Sequence, residues 1–437
     1  MSSQSIVEAL DHAAWRGGHW RLFSIVSLTY LLDGVMFSIA PLVVFIISPE
    51  YYPVIFAANL LAETLGAIVL GMLADRVGRR PMFTAALVIE VAALTLLFFL
   101  YTNTIALAVL TSLMTFGIGG EFGAAYSAIA EFSPKHHRGK ALMLATNFWN
   151  VGAAMIAGLA LVFAAIYEDA FIQVEYLLAS ALGTLVVVGL TRVGFPESPR
   201  WLLLKGRESE AVRIVERVAG AIGEARLPTA AAREVSLGEA IARYWFRLII
   251  LAVITVAQYV TYGMMAYYAP YASGFAFGVE SAPLVIFTAN LGASIGAFLL
   301  IPLIDRARRL AVLLAFAGGF AGSLAVMLAH TAAIAAAFYT ALFITLIFSE
   351  WAWASLSTMQ SELFPTGVRA SLVGFLTSLT GVSGALVALY EAQIAAHTFL
   401  LLASVIWLAG LLAALAWRVR GVESAGRSVE ELEIAAS

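Results

Sequence analysis

Asp33, Glu63, Glu90, Glu121 and Glu391 stand inside long apolar stretches of the chain. Asp33 lies about twelve residues into the first stretch, which at 1.5 Å per helical residue is near the middle of a bilayer. An Asp at the centre of a membrane helix costs about 2.5 to 3.5 kcal/mol on insertion scales, so it needs a partner or a function. Glu121 is similarly deep, and no Lys or Arg falls well inside any of these stretches. Carboxylates gathered without a deep base suit the uptake and release of protons. They also suit a cationic solute, whereas an anionic one has nowhere obvious to put its charge. Asp33 and Glu121 are therefore the expected proton-coupling pair, while Glu63 and Glu90 equally suit carboxyls hydrogen-bonded to a neighbouring helix.

Aromatic side chains share the same stretches. Trp149, Tyr262 and Trp353, with Tyr126, Asn150, Gln258, Ser357, Glu121 and Glu391, make the candidate substrate-binding set, because aromatic faces beside carboxylates bind organic cations. Trp351 and Tyr390 are expected to pack between helices or sit in the interfacial belt.

The elements that hold these residues follow from composition. The chain has 437 residues, 62% hydrophobic and 12% charged, which excludes an ordinary soluble domain. Its net charge of -3 carries no nucleic-acid footprint, and the absence of cysteine removes disulfides and thiolate metal sites. Met1 to Gly18 is polar and of mixed charge, so no cleaved signal peptide is expected. Apolar runs at 21–47, 52–74, 82–101, 104–130, 140–166, 171–193, 246–270, 282–304, 310–330, 332–360, 368–396 and 397–418 are each long enough to span a bilayer. The fold class is all-α and polytopic, with twelve transmembrane helices in two six-helix bundles. The predicted divisions are a first bundle over 1–197, a linker over 198–243, a second bundle over 244–420 and a tail over 421–437.

The linker has its own helix signals. Ser198-Pro199 reads as a cap followed by proline at the first helical position, and Ala211, Ile214, Val215 and Val218 share one face. Ser236 and Glu239 have capping-box spacing before the seventh run. Lys and Arg cluster after every even-numbered run and are missing from the alternate loops, so both termini and the linker are expected to be cytoplasmic, in an inner or plasma membrane. The turn Gly71-Met72-Leu73-Ala74-Asp75-Arg76-Val77-Gly78-Arg79-Arg80 has a degraded second copy at Asp305-Arg306-Ala307-Arg308-Arg309, which argues for two related halves.

That turn resembles the loop signature of the major facilitator superfamily. Three further stretches are similar to its branch of sugar porters, organic-ion transporters and metabolite–proton symporters. They are Gly119-Gly120-Glu121-Phe122-Gly123 with Ala130-Glu131-Phe132-Ser133-Pro134 and Arg138; Pro196-Glu197-Ser198-Pro199-Arg200; and Glu362-Leu363-Phe364-Pro365-Thr366 with Arg369. The resemblance implies alternating access by two rocking bundles, with charged helix ends as a cytoplasmic latch. Asp75, Glu131, Glu197 and Glu362 are expected to pair with Arg79, Arg138, Arg200 and Arg369. Much of the branch carries an arginine in span four, where Thr111 stands here. Three amides expected of a sugar site are replaced by Ala153, Ala257 and Gly263, which counts against a hexose.

The expected function is secondary transport of a small organic solute, cationic or amphipathic, coupled to protons. An uncoupled organic-cation facilitator, a sugar or polyol porter, and a non-transporting receptor or sensor remain open. No nucleophile with a base, metal cluster or nucleotide loop points to an enzyme, and no cofactor is expected. The expected partners are the substrate, the proton and the lipid bilayer, with no nucleic acid, around a monomer.

Overall fold

The computed structural model describes residues 10, 13–134, 136–220, 236–364, 366–425 and 432. Twelve of its helices are long and apolar enough to cross a membrane. Spans one to six are Gly17–Ile47, Pro49–Ala74, Arg79–Leu100, Thr104–Phe132, Arg138–Ile166 and Ala170–Gly194. Spans seven to twelve are Gly238–Tyr271, Val279–Ile304, Arg308–Thr331, Ala335–Gln360, Leu372–Gln393 and Ala396–Arg420. Each coincides with a predicted apolar run. The outer surface is apolar too, with Phe99, Leu190 and Val419 at least 72% exposed, as a lipid-facing wall requires.

Without a hydrophobic drive between helices in lipid, close backbone approach must hold the bundle together. Glycine notches supply it. Gly34 and Gly152 seat spans one and five against each other, Gly66 and Gly119 do so for spans two and four, and Gly292 and Gly296 seat span eight on span ten. Spans one to six and seven to twelve form the two halves, which meet along two seams, span five against span eight and span two against span eleven.

The reversal between spans two and three turns at Gly78, whose φ of +116° favours glycine. A Cβ there would also crowd Glu197 Oε2 at 2.6 Å. The linker helices form as predicted. Ser198 caps Pro199–Leu204 by accepting from the Trp201 amide (3.1 Å), and Ser236 caps span seven through the Glu239 amide (3.3 Å). The second linker helix, Glu208–Ala219, buries Val215 and Val218 against Leu22 and Ile25 at the base of the first half. The linker therefore marks one face of the molecule.

Contacts between the halves close both faces. On the linker face, Tyr126 donates to the Ser357 carbonyl (2.6 Å), Lys140 pairs with Asp305 (3.7 Å), and Met143 packs with Ala297, Leu300 and Ala354. On the opposite face, Tyr271 donates to the Pro41 carbonyl (3.2 Å), and its ring lies 4.4 Å from that of Tyr52.

Candidate functional site

The deep acids do have a deep base, contrary to the expectation from sequence. Arg192, in the last turn of span six, is buried and pairs with Glu121 on span four and with Glu90 on span three at 3.8 Å. Its guanidinium also lies over the Phe83 ring at 4.9 Å. Oxygens of Asp33, Glu90 and Glu121 lie within 4.8 Å of one another, all fully buried. Asp33 and Glu121 thus face the same point. Gly117 leaves the space that Glu90 fills, since a Cβ there would meet Glu90 Cγ at 2.7 Å. Arg192 escaped the sequence reading because it sits at the end of an apolar run, where an arginine ordinarily reaches into the headgroups. Its long side chain runs inward instead. Outnumbered three to one by carboxylates, it offers no free positive charge to an anionic solute.

A second constellation joins the halves at the centre. Asn150 on span five donates to Glu350 on span ten (2.9 Å) and to Asn147 (3.1 Å), and Asn147 donates to the Ser294 carbonyl of span eight (3.1 Å). The Tyr262 hydroxyl donates to Asn290 on span eight (2.8 Å) and lies 3.4 Å from the Tyr267 hydroxyl. Tyr267 in turn lies 3.2 Å from Ser38 on span one. Trp149 and Phe37 wall this network, with ring centroids 5.1 Å apart, and Phe37 meets Tyr267 at 5.4 Å. Glu350 is buried, and among the described residues its Oε1 has no hydrogen-bond partner. Gly34 links the two constellations: it follows Asp33 and sits directly on the main chain of Trp149, the neighbour of Asn150.

Span seven supplies Tyr262 and Tyr267 because its end is irregular. Met264–Tyr268 forms a π-helical turn and Ala269–Tyr271 a tighter one, around the prolyl Pro270. The extra residue per turn brings both hydroxyls inward.

The predicted binding set therefore divides. Asn150, Trp149 and Tyr262 meet at the centre. Gln258 is buried beside them in sequence but bonds Ser349 (3.3 Å) within its own half. Tyr126 and Ser357 are bonded to each other on the linker face, and Trp353 is half-buried in the second half. Glu121 belongs to the Arg192 cluster. Glu391 lies in a turn at the end of span eleven away from the linker, within reach of Tyr52, Tyr268 and Tyr271, and not with the central group. Glu350, Asn290, Tyr267 and Ser38 were missed. A carboxylate within span ten was visible in the sequence, but it stood among the serines, threonine and glutamine interspersed from Ser349 to Ser361 and was passed over.

Glu63 and the packing aromatics behave as the simpler readings expected. Glu63 lies within electrostatic reach of Tyr259 on span seven, Trp351 donates to the Gly296 carbonyl (2.8 Å), and Tyr390 is 55% exposed.

The charged helix ends pair differently from the expectation. Glu131 takes Arg79 and the Ser198 hydroxyl (2.6 Å), not Arg138. Glu197 accepts from the main-chain amides of Arg79 (2.9 Å) and Arg80 (3.2 Å), not from Arg200. Glu362 takes Arg308, while the Asp75 and Arg369 side chains lie outside the described residues. The second half repeats the arrangement: Glu423 accepts from the amides of Arg308 (3.1 Å) and Arg309 (3.2 Å), and Ser424 from the Arg308 guanidinium (2.9 Å). Pro196-Glu197-Ser198 and Val422-Glu423-Ser424 are thus structural counterparts, a repeat too short to recognise in sequence. These clamps lie within each half. Among the described charged side chains on this face, Lys140 pairs across the halves with Asp305, and Arg138 is close enough to act electrostatically on Glu362.

The family model for "Sugar (and other) transporter" matches residues 40–436, nearly the whole chain. The chain belongs to that family. It is a membrane transporter of sugar or metabolite type, not an enzyme, and its recognition as a major facilitator protein stands. The transporter is 28% identical to the inner membrane metabolite transport protein YgcS of Escherichia coli, over 91% of each chain. It is 23% identical to the niacin transporter NiaP of Acinetobacter baylyi, over 84% of this chain and 85% of that one. Its fold matches the proton:xylose symporter XylE bound to 6-bromo-6-deoxy-D-glucose, with a TM-score of 0.74 and 16% identity over 96% and 99% of the two chains.

Proposed function

We propose that the protein carries a small organic metabolite with a positively charged, partly apolar or aromatic body across the membrane by alternating access, coupled to protons. The observation that carries this reading is Glu350. It is a buried carboxylate bonded across the halves to Asn150, with one oxygen unpaired among the described residues, and Asn150 adjoins Trp149 and takes the Tyr262 hydroxyl (3.3 Å), which in turn meets that of Tyr267. A carboxylate ringed by aromatic faces holds an organic cation through both charge and quadrupole. Because Asn150 and Glu350 belong to different halves, a solute that replaces their bond is felt by both halves at once.

Asp33 and Glu121, with Glu90, are the proton-carrying groups. One guanidinium balances one of the three carboxylates, and protons balance the remainder. The excess of Lys and Arg in the linker-face loops supports a cytoplasmic position for that face. The ion pair Lys140–Asp305, between partly exposed groups, is worth roughly 0–1 kcal/mol, weak enough for substrate or proton binding to release it.

A neutral polyol or a pyridine-type metabolite is the second reading. The amides lost at Ala153, Ala257 and Gly263 are matched by Asn147, Asn150 and Asn290, which restore donors and acceptors to the centre, and relatives transport xylose and niacin.

Proteoliposomes with an internal pH dye, offered organic cations, polyols and aromatic acids, test both. Cations are expected to move protons with them. Asp33→Asn abolishes that coupling while substrate exchange continues, and Glu350→Gln lowers cation transport by roughly ten-fold or more. Proton-coupled polyol movement that Glu350→Gln leaves unchanged would select the second reading. Cation movement without protons would remove the coupling role of Asp33.

A further inference from the structure

Glu391 is a fully buried acid that belongs to neither constellation. It ends span eleven in a tight turn, Glu391–Gln393, held in place where the Ser273 amide donates to the Ile394 carbonyl (3.2 Å) and the Ala396 amide to the Ser273 carbonyl (2.7 Å). Its exposure is 0%, and among the described residues neither carboxylate oxygen has a hydrogen-bond partner. Its turn packs on the Ala269–Tyr271 turn, and Tyr52, Tyr268 and Tyr271, each at most 8% exposed, lie within its electrostatic reach. The rings form a continuous wall: Tyr52 and Tyr271 are 4.4 Å apart, Phe45 and Tyr271 4.7 Å, and Phe56 and Tyr268 5.4 Å. Tyr52, Phe45 and Phe56 come from the first half, and Tyr268, Tyr271 and Glu391 from the second.

An anion buried without a donor is strongly disfavoured, and the negative faces of aromatic rings do nothing to help it. Those faces instead favour a cation placed between them and the carboxylate. A metal ion is a poor match, because beyond the two carboxylate oxygens and the tyrosine hydroxyls the wall is carbon, whereas hard cations take six or more oxygens. The wall also leads inward. Tyr271, Tyr268, Tyr267 and Tyr262 follow one another along the end of span seven, and the last two, with rings 5.7 Å apart, reach the Asn150–Glu350 network.

We propose that Glu391 and its surrounding tyrosines are an outer station for the ammonium group of the substrate, filled when the halves part on the face opposite the linker and ahead of transfer to Glu350. The station rests on the cationic reading of the central site. It accounts for a carboxylate that no described residue partners at a junction that both halves build.

Choline and its neutral isostere 3,3-dimethylbutanol, titrated calorimetrically into the purified protein, test it. Choline binds and the isostere does not. In a Glu350→Gln background the remaining choline binding depends on Glu391: Glu391→Gln weakens it roughly ten-fold or more, Tyr52→Leu several-fold, and Glu391→Asp about three-fold at most. Retention of binding by Glu391→Asp shows that the site tolerates substitution. If Glu350→Gln alone abolishes choline binding and Glu391→Gln changes nothing, the outer station is wrong while the cationic reading survives. If the wild-type protein ignores choline and binds polyols, the cationic reading itself fails and the station with it. Sodium chloride competing through Glu391 as effectively as choline would make the site inorganic and overturn the proposal.

Discussion

Arg192 is the residue on which the interior of the first half depends. It is a fully charged side chain in lipid depth, held by Glu121 and Glu90 and stacked over Phe83, with Asp33 close by. Removing one partner of a buried ion pair leaves the other uncompensated, at a cost of about 3–5 kcal/mol. Arg192→Gln is therefore expected to fall sharply in thermal stability and yield, and Arg192→Gln with Glu121→Gln to recover much of the loss. A double-mutant cycle on detergent-solubilised protein measures this. Additive losses would mean that the two side chains do not share their energy.

The helix-end clamps belong to the scale of elements. In each half a Glu from a short connector accepts two main-chain amides at the start of a span, Glu197 at Arg79 and Arg80, and Glu423 at Arg308 and Arg309. Those amides have no partner within their own helices, and the positive end of the helix dipole favours a carboxylate there. Hydrogen bonds to charged groups are worth about 1.5–3 kcal/mol. Glu423→Ala is thus expected to destabilise the protein by an amount similar to Glu197→Ala, lowering the thermal midpoint in each case. The comparison is informative because the sequence advertises Glu197 and hides Glu423: a neutral Glu423→Ala would mean that the last connector only rests on the bundle.

At the scale of the whole molecule, closure of the linker face carries a pH dependence. Burial pushes the Asp305 carboxyl above its ordinary range, outweighing the opposing pull of Arg308 and Lys140. When the halves part on this face, Asp305 regains water and its pKa returns toward the ordinary value of about 3.9. The closed form therefore binds the proton more tightly. Its added stability is complete below the ordinary value and is lost as pH rises through the raised one. The chain has no cysteine, so spin labels can be placed at His136 and Arg306 without background. Distances between them are expected to shorten as pH falls from about 8 toward 4, and Asp305→Asn to hold the short distance and flatten the response. Lengthening at low pH would mean that the Lys140 pair outweighs desolvation.

Local chemistry along the chain determined the twelve spans, the linker helices with their Ser198 and Ser236 caps, and the doubled arginine turns. Hydropathy over about twenty residues and capping at helix ends need no distant partner. Asp33 and Glu121 were legible as well, because an acid in an apolar run stands out wherever it points. Partners were decided only by the tertiary structure. Arg192, unremarked at the end of an apolar run, met the deep acids only because its side chain turns inward, and Glu131 and Glu362 drew arginines from other helices rather than their sequence neighbours. Glu350 and Asn150 became one site only when the two halves met. The direction a side chain takes from a helix, and what stands opposite it, depends on how helices rotate and pack, and small-residue notches such as Gly34 against Trp149 set that packing across more than a hundred residues of chain.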